Sequence, residues 1–231
     1  MKIVRPELDS FALERLRAQT LDALTGGTGR ANGETLRSLD EGIRRAVECA
    51  DPRGEWLRTT IAGVTDAGVE TSEGLIASPM FARVAGAASG GTRVVFALVT
   101  VGEAFDEELA REDSLLDKFV LDAVGSELAE IVADIVEETW KNEIAVAGLE
   151  ASLRMSPGYC DWAIQGQDVI FTALDASAVG VRLTPSCLMI PAKSVSSAAV
   201  AAERVPVKVA CEICSSQDCP FRRSEFDESA G

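Results

Sequence analysis

The apolar positions of this chain follow two periods and switch between them several times. Phe11, Leu13, Leu16, Thr20 and Leu24 recur near helical spacing among Glu14, Arg15 and Arg17, which predicts a helix within residues 1–24. The glycine-rich piece 25–33 breaks it. With no Lys-Ser/Thr ending and no strand before it, this piece reads as a linker and not as a phosphate loop. A second helix over 35–50 carries Leu36, Leu39, Ile43 and Val47 on one stripe, and Asp51-Pro52 ends it.

The period then shortens. Residues 56–64 alternate as a strand, and Thr65-Asp66-Ala67-Gly68 is a hairpin-type turn. Ser78-Pro79 has the form of an N-cap and first residue of a short helix over 80–87. Residues 94–101, Val-Val-Phe-Ala-Leu-Val-Thr-Val, are apolar without alternation, as in a strand buried on both faces. Glu103, Asp106, Glu107 and Glu108 open the next helix, where negative charge suits the dipole.

A long helix over 114–144 is predicted from Leu116, Val120, Val124, Leu128, Ile131 and Ile135, with Glu127, Glu130, Asp134 and Glu138 on its other side. By spacing alone that acidic side is a solvated face. A helix over 165–176 and short strands at 181–184, 187–190 and 194–201 follow, separated by Pro185 and Pro191. Residues 205–210 are strand-like, and the tail 224–231 reads as disordered.

Composition narrows the partners. A net charge of −15 argues against nucleic acid and anionic membrane surfaces. No apolar run approaches the ~20 residues of a membrane helix, and residues 1–20 are too charged for a signal peptide. The expected location is the cytoplasm, where six cysteines are thiols or ligands and not a disulfide framework. Histidine is absent, which removes His-based triads and any imidazole ligand.

The candidate chemistry lies in Arg154-Met155-Ser156-Pro157-Gly158-Tyr159. Proline fixes one φ and the glycine after it opens a conformation closed to other residues, so backbone groups can approach a ligand between an arginine and an aromatic ring. A tight loop between helix and sheet would explain the same letters.

Together with Gly180-Val181-Arg182-Leu183-Thr184 and the run Met189-Ile190-Pro191-Ala192-Lys193-Ser194-Val195-Ser196, that motif resembles the activation domain of vitamin B12-dependent methionine synthase, most of all its stand-alone proteins. The resemblance covers residues 34–204 and implies a single α+β domain: a bent, mainly antiparallel β-sheet with surrounding helices. Residues 1–33 then form an N-terminal helix and linker, and 205–223 a Cys-rich segment.

The implied function is reductive reactivation of a corrinoid-dependent methyltransferase, such as a methionine synthase lacking its own activation domain. S-adenosylmethionine is bound and the partner's cobalamin is capped while a separate electron donor reduces it. The resemblance assigns S-adenosylmethionine binding to Glu130, Arg154, Ser156, Gly158 and Tyr159, with Arg154 on the methionine carboxylate. The family has a further tyrosine late in its sheet, and here Tyr159 is the only tyrosine. That departure keeps open a non-catalytic docking module for a corrinoid protein.

Cys211-x2-Cys214-x4-Cys219-Pro220 is ligand-like in its spacing, and similar endings accompany the stand-alone proteins. Thiolates alone suit an iron–sulfur cluster, then structural zinc, and a metal-free segment stays open. A fourth ligand would be Cys187 first and Cys160 second, with Cys49 a buried helical thiol. A cluster there would make the chain an iron–sulfur electron carrier to the same partner.

Overall fold

The uninterrupted apolar run becomes β5 (Arg93–Thr100), the central strand of the sheet. Val95, Ala97 and Val99 face one core while Val94, Phe96 and Leu98 face the other, so both sides of the strand are buried. The computed structural model describes residues 1–214 and 224–225. Its strands are β1 (Lys2–Val4), β2 (Arg53–Thr65), β3 (Gly68–Thr71), β4 (Gly74–Ile76), β5, β6 (Glu150–Ala151), β7 (Arg182–Leu183), β8 (Met189–Ile190) and β9 (Ser194–Ala202). The main sheet runs β4-β3-β2-β5-β9-β6, antiparallel at every pairing, with β1 also on β2 and β7–β8 a separate hairpin. A register shift between Ile61 and Gly63 bends β2 where it passes from β5 to β3.

Helices α1 (Ser10–Thr25), α2 (Gly33–Cys49), α4 (Glu103–Arg111) and α5 (Leu115–Val146) cover one face; α3 (Pro79–Ala87) and α6 (Gln167–Ala173) cover the other. The single α+β domain with a bent antiparallel sheet, expected from the resemblance, is observed. Local signals set many of the ends. The Ser78 hydroxyl accepts from the Phe81 backbone N–H at 3.0 Å, with Pro79 as first helical residue, and Ser114 caps α5. No helix among the described residues is long and apolar enough to cross a membrane.

Several expectations change. The stretch 1–24 contains β1 as well as α1, and Phe11 is exposed; Ala12, Leu16 and Thr20 are what α1 buries, in the same core as α5. Residues 205–210 form no strand but a loop that enters a 3-10 turn, Ala210–Ile213. The disordered-tail reading lies almost wholly outside the described residues.

Gly125 holds α4 against α5. A Cβ there would stand 2.3 Å from the ring of fully buried Phe105 and 3.1 Å from Cε of Lys193. Alanine gains about 1 kcal/mol of helix propensity, but overpacking costs about 1–3 kcal/mol, and Phe105 is enclosed by core. Gly125→Ala is therefore expected to lower stability by about 1 kcal/mol in urea unfolding. A more stable variant would mean that the Phe105 ring can swing aside.

Candidate functional site

Residues 152–155 leave β6 and continue along β9. The Ser152 N–H donates to the Val200 carbonyl at 2.9 Å, and Met155 and Ala198 exchange a pair of backbone hydrogen bonds at 2.8 Å. Arg154 is thereby held beside α5. Residues 156–162 then coil into turns: the Tyr159 N–H donates to the Ser156 carbonyl at 3.3 Å and the Gly158 N–H to the Trp162 carbonyl at 2.7 Å. Gly158 has φ +94°, which only glycine adopts without strain, so the conformation predicted for the Pro-Gly step is present. Asp161 ties the loop to α3, accepting from the Ser78 hydroxyl and, at 2.8 Å, from the Met80 N–H.

This loop, the α5 segment 126–130, the start of α3 and the turn after residue 209 enclose a cavity of about 600 Å³. Such a volume suits a ligand of nucleoside size. Glu130, Arg154, Ser156, Gly158 and Tyr159 all line it. Tyr159 is about half exposed at the mouth.

The Arg154 guanidinium is buried and paired three ways. Nη1 donates to Asp134 at 2.6 Å and to Glu137, and Nη2 donates to Glu130 at 2.7 Å. Burial pulls its pKa down, but the Asp134 and Glu137 carboxylates override that and hold it above the ordinary arginine range. Burial likewise opposes ionisation of Asp134, yet its bond from Arg15, at 2.6 Å, and the charge of Arg154 keep it below the usual carboxylate range. Three of the five guanidinium N–H donors are thus engaged by the protein.

Glu127 also lines the cavity, a residue the sequence marked only as part of an acidic face. Burial, then the charges of Glu130 and of Asp22 on α1, push its carboxyl above the usual range. Its spacing of three from Glu130 on one helix was the available signal. Met80, Met155, Cys160 and Trp162 also line the cavity, and no sequence signal pointed to Met80 or Trp162.

The cysteines separate. Cys211 and Cys214 line the cavity and so does Cys160, whereas Cys187 lies apart from it in the β7–β8 turn, its carbonyl accepting from Gln167 Nε2 at 2.9 Å. Cys219 lies outside the described residues. Among the described residues no three Cys, Asp or Glu side chains are gathered so as to hold a metal ion. Cys187 therefore does not share a wall with Cys211 and Cys214 in this cavity, and an iron–sulfur cluster or zinc finds no support among the described residues. Cys49 is half-buried in α2, and burial pushes its thiol up.

The sequence matches no family model and no curated protein. A solved structure, the crystal structure of the MetH reactivation domain bound to AdoHcy, is similar with a TM-score of 0.59 and 16% identity, over 86% of this chain and 77% of that chain. At that identity the likeness is one of fold.

Proposed function

We propose that the chain binds S-adenosylmethionine in this cavity and serves as the reactivating partner of a separate corrinoid-dependent methyltransferase. The observation that carries the reading is the pairing, across one cavity, of the Arg154–Tyr159 loop with two carboxylates of α5, Glu127 and Glu130. The ligand combines a sulfonium, an ammonium, a carboxylate and an adenosine. Glu130, oriented by Arg154, and Glu127 attract the cationic end, and the loop at Ser156 and Gly158 with the Tyr159 ring suits the nucleoside. Arg154 retains two N–H donors for the carboxylate. The fold likeness to a domain bound to AdoHcy, the demethylated form of this methyl donor, supports the same reading. A cobalamin held by the partner, with an external electron donor, would supply the methyl-accepting chemistry. This chain's part is to hold the methyl donor against that partner and keep water out.

The test is calorimetric titration with S-adenosylmethionine, followed by mixing with a corrinoid methyltransferase lacking its own activation domain, reductant and S-adenosylmethionine. Methylcobalamin is expected to return in the visible spectrum only when this chain is present. Equal recovery without it would sink the reactivation reading, and no heat at millimolar ligand would sink the binding reading.

The pH dependence has a definite sign. Glu127 titrates above the ordinary carboxylate range, and a cation in the cavity favours its charged form. Affinity is expected to rise as pH climbs through the raised pKa of Glu127 and to level off above it, with proton release on binding below it. Glu127→Gln should flatten the profile. A wild-type affinity that falls over the same range would remove Glu127 from the site.

A further inference from the structure

Glu127 is half-buried in the cavity wall, and no cation or hydrogen-bond donor stands beside it among the described residues. The acids around it on α5 are paired: Asp122 with Lys193 at 2.7 Å, Glu130 with Arg154 at 2.7 Å, and Asp134 with Arg15 and Arg154, both at 2.6 Å. The charges that act on Glu127 are negative, Glu130 one turn along α5 and Asp22 on α1, and they add to burial in raising its pKa. The other titratable groups of the wall are Arg154, already bound by three carboxylates, the Tyr159 phenol, and the thiols of Cys160, Cys211 and Cys214. A carboxylate so placed is satisfied by a cation that enters the cavity, or by a proton.

We propose, on the reading that S-adenosylmethionine is the ligand, that Glu127 determines the specificity of the cavity: its carboxylate is the counter-charge of the sulfonium, so the site holds the methyl donor and lets go of the uncharged thioether. Arg154 and Glu130 mark the end that takes the ligand's carboxylate and ammonium, which share one carbon. Glu127 stands three residues before Glu130, about 4.5 Å along the helix axis. The two methylenes between that carbon and the sulfur cover a comparable length, which brings the sulfonium to Glu127. Glu130 has Arg154 as counter-charge whether the cavity is filled or empty.

When the methyl group passes to the partner's acceptor, the sulfur keeps the electron pair of the broken bond and loses its positive charge. The ammonium and carboxylate of the product are unchanged, so the difference between donor and product falls on Glu127. Left without a counter-charge, it takes a proton from solvent or the product departs.

The full chain is titrated calorimetrically with S-adenosylmethionine and with AdoHcy between pH 4 and 7. At pH 7 the wild type is expected to favour the methyl donor by about 10-fold, the usual worth of a charge-assisted contact. That ratio should shrink as pH falls through the Glu127 pKa. Glu127→Gln, which breaks no contact in the empty protein, should bring the two affinities close together by weakening the donor, and Glu127→Asp should keep part of the preference. Glu130→Gln should weaken both ligands alike, since the ammonium is common to them. A preference for the donor that survives in Glu127→Gln, or that does not change with pH in the wild type, would overturn the assignment while leaving S-adenosylmethionine binding in place. Absence of heat with both ligands in the wild type would remove the binding reading itself, and the role of Glu127 with it.

Discussion

Replacing Arg154 by methionine is expected to lower stability by about 3–5 kcal/mol, the usual cost of removing one partner from a buried charge network. The physical cause lies mainly in Glu137. Its side chain is 7% exposed, and it would keep only Lys141, at 2.6 Å, as a counter-charge. Glu130 and Asp134 are more than a third exposed and reach water, so their share is small. Glu137→Gln in the Arg154→Met background should therefore recover about 1–2 kcal/mol, which Glu130→Gln in the same background should not. Urea unfolding at neutral pH measures both. A loss below about 1 kcal/mol would place the network in the class of surface pairs. If the cavity takes S-adenosylmethionine, the same substitution should weaken binding by about 10–100-fold under conditions where the variant is folded.

The second large effect has the opposite sign. Glu55 on β2 is fully buried, and neither of its oxygens has a hydrogen-bond partner among the described residues. Its neighbours across the sheet are Ile3 and Leu98. Burial, then the nearby Asp175 carboxylate, raises its pKa, and the approach of the Asp175 backbone, too poorly formed to count as a hydrogen bond, offsets them only in part. In the unfolded chain Glu55 ionises near pH 4.3, while the folded chain keeps its proton to higher pH. Over that interval the native state binds more protons, so stability falls as pH rises. Glu55→Met is expected to be more stable than wild type by about 1–3 kcal/mol at pH 8. The difference should shrink as pH drops to 4 and below. Thermal unfolding across pH 4–8 tests this, and a variant that is less stable throughout would show that the carboxylate is satisfied in solution.

Neither effect was legible in the sequence. Glu137 did not enter the acidic side read from spacing, and Glu55 falls just before the alternating stretch 56–64, where a charged residue is expected to face water. Periodicity reports which side of an element is apolar. It does not report that β2 is covered on both faces, since that depends on β5, β9 and the α3–α6 layer meeting across long stretches of chain.

What the sequence determined by itself is local: a strand where apolar residues run without alternation, helix starts at Ser78 and Ser114, and a φ that glycine permits at Gly158. Each follows from backbone sterics or a hydrogen bond spanning three or four residues, which neighbouring letters specify. The grouping of side chains was decided by the tertiary structure. Cys160 joins the cavity of Cys211 and Cys214 while Cys187 does not, and Arg154 meets three carboxylates up to 24 residues away. Such distances are set by how the sheet orders its strands, because β9 pairs with the segment leading into the loop and carries Arg154 to α5. Spacing along the chain holds no record of that pairing.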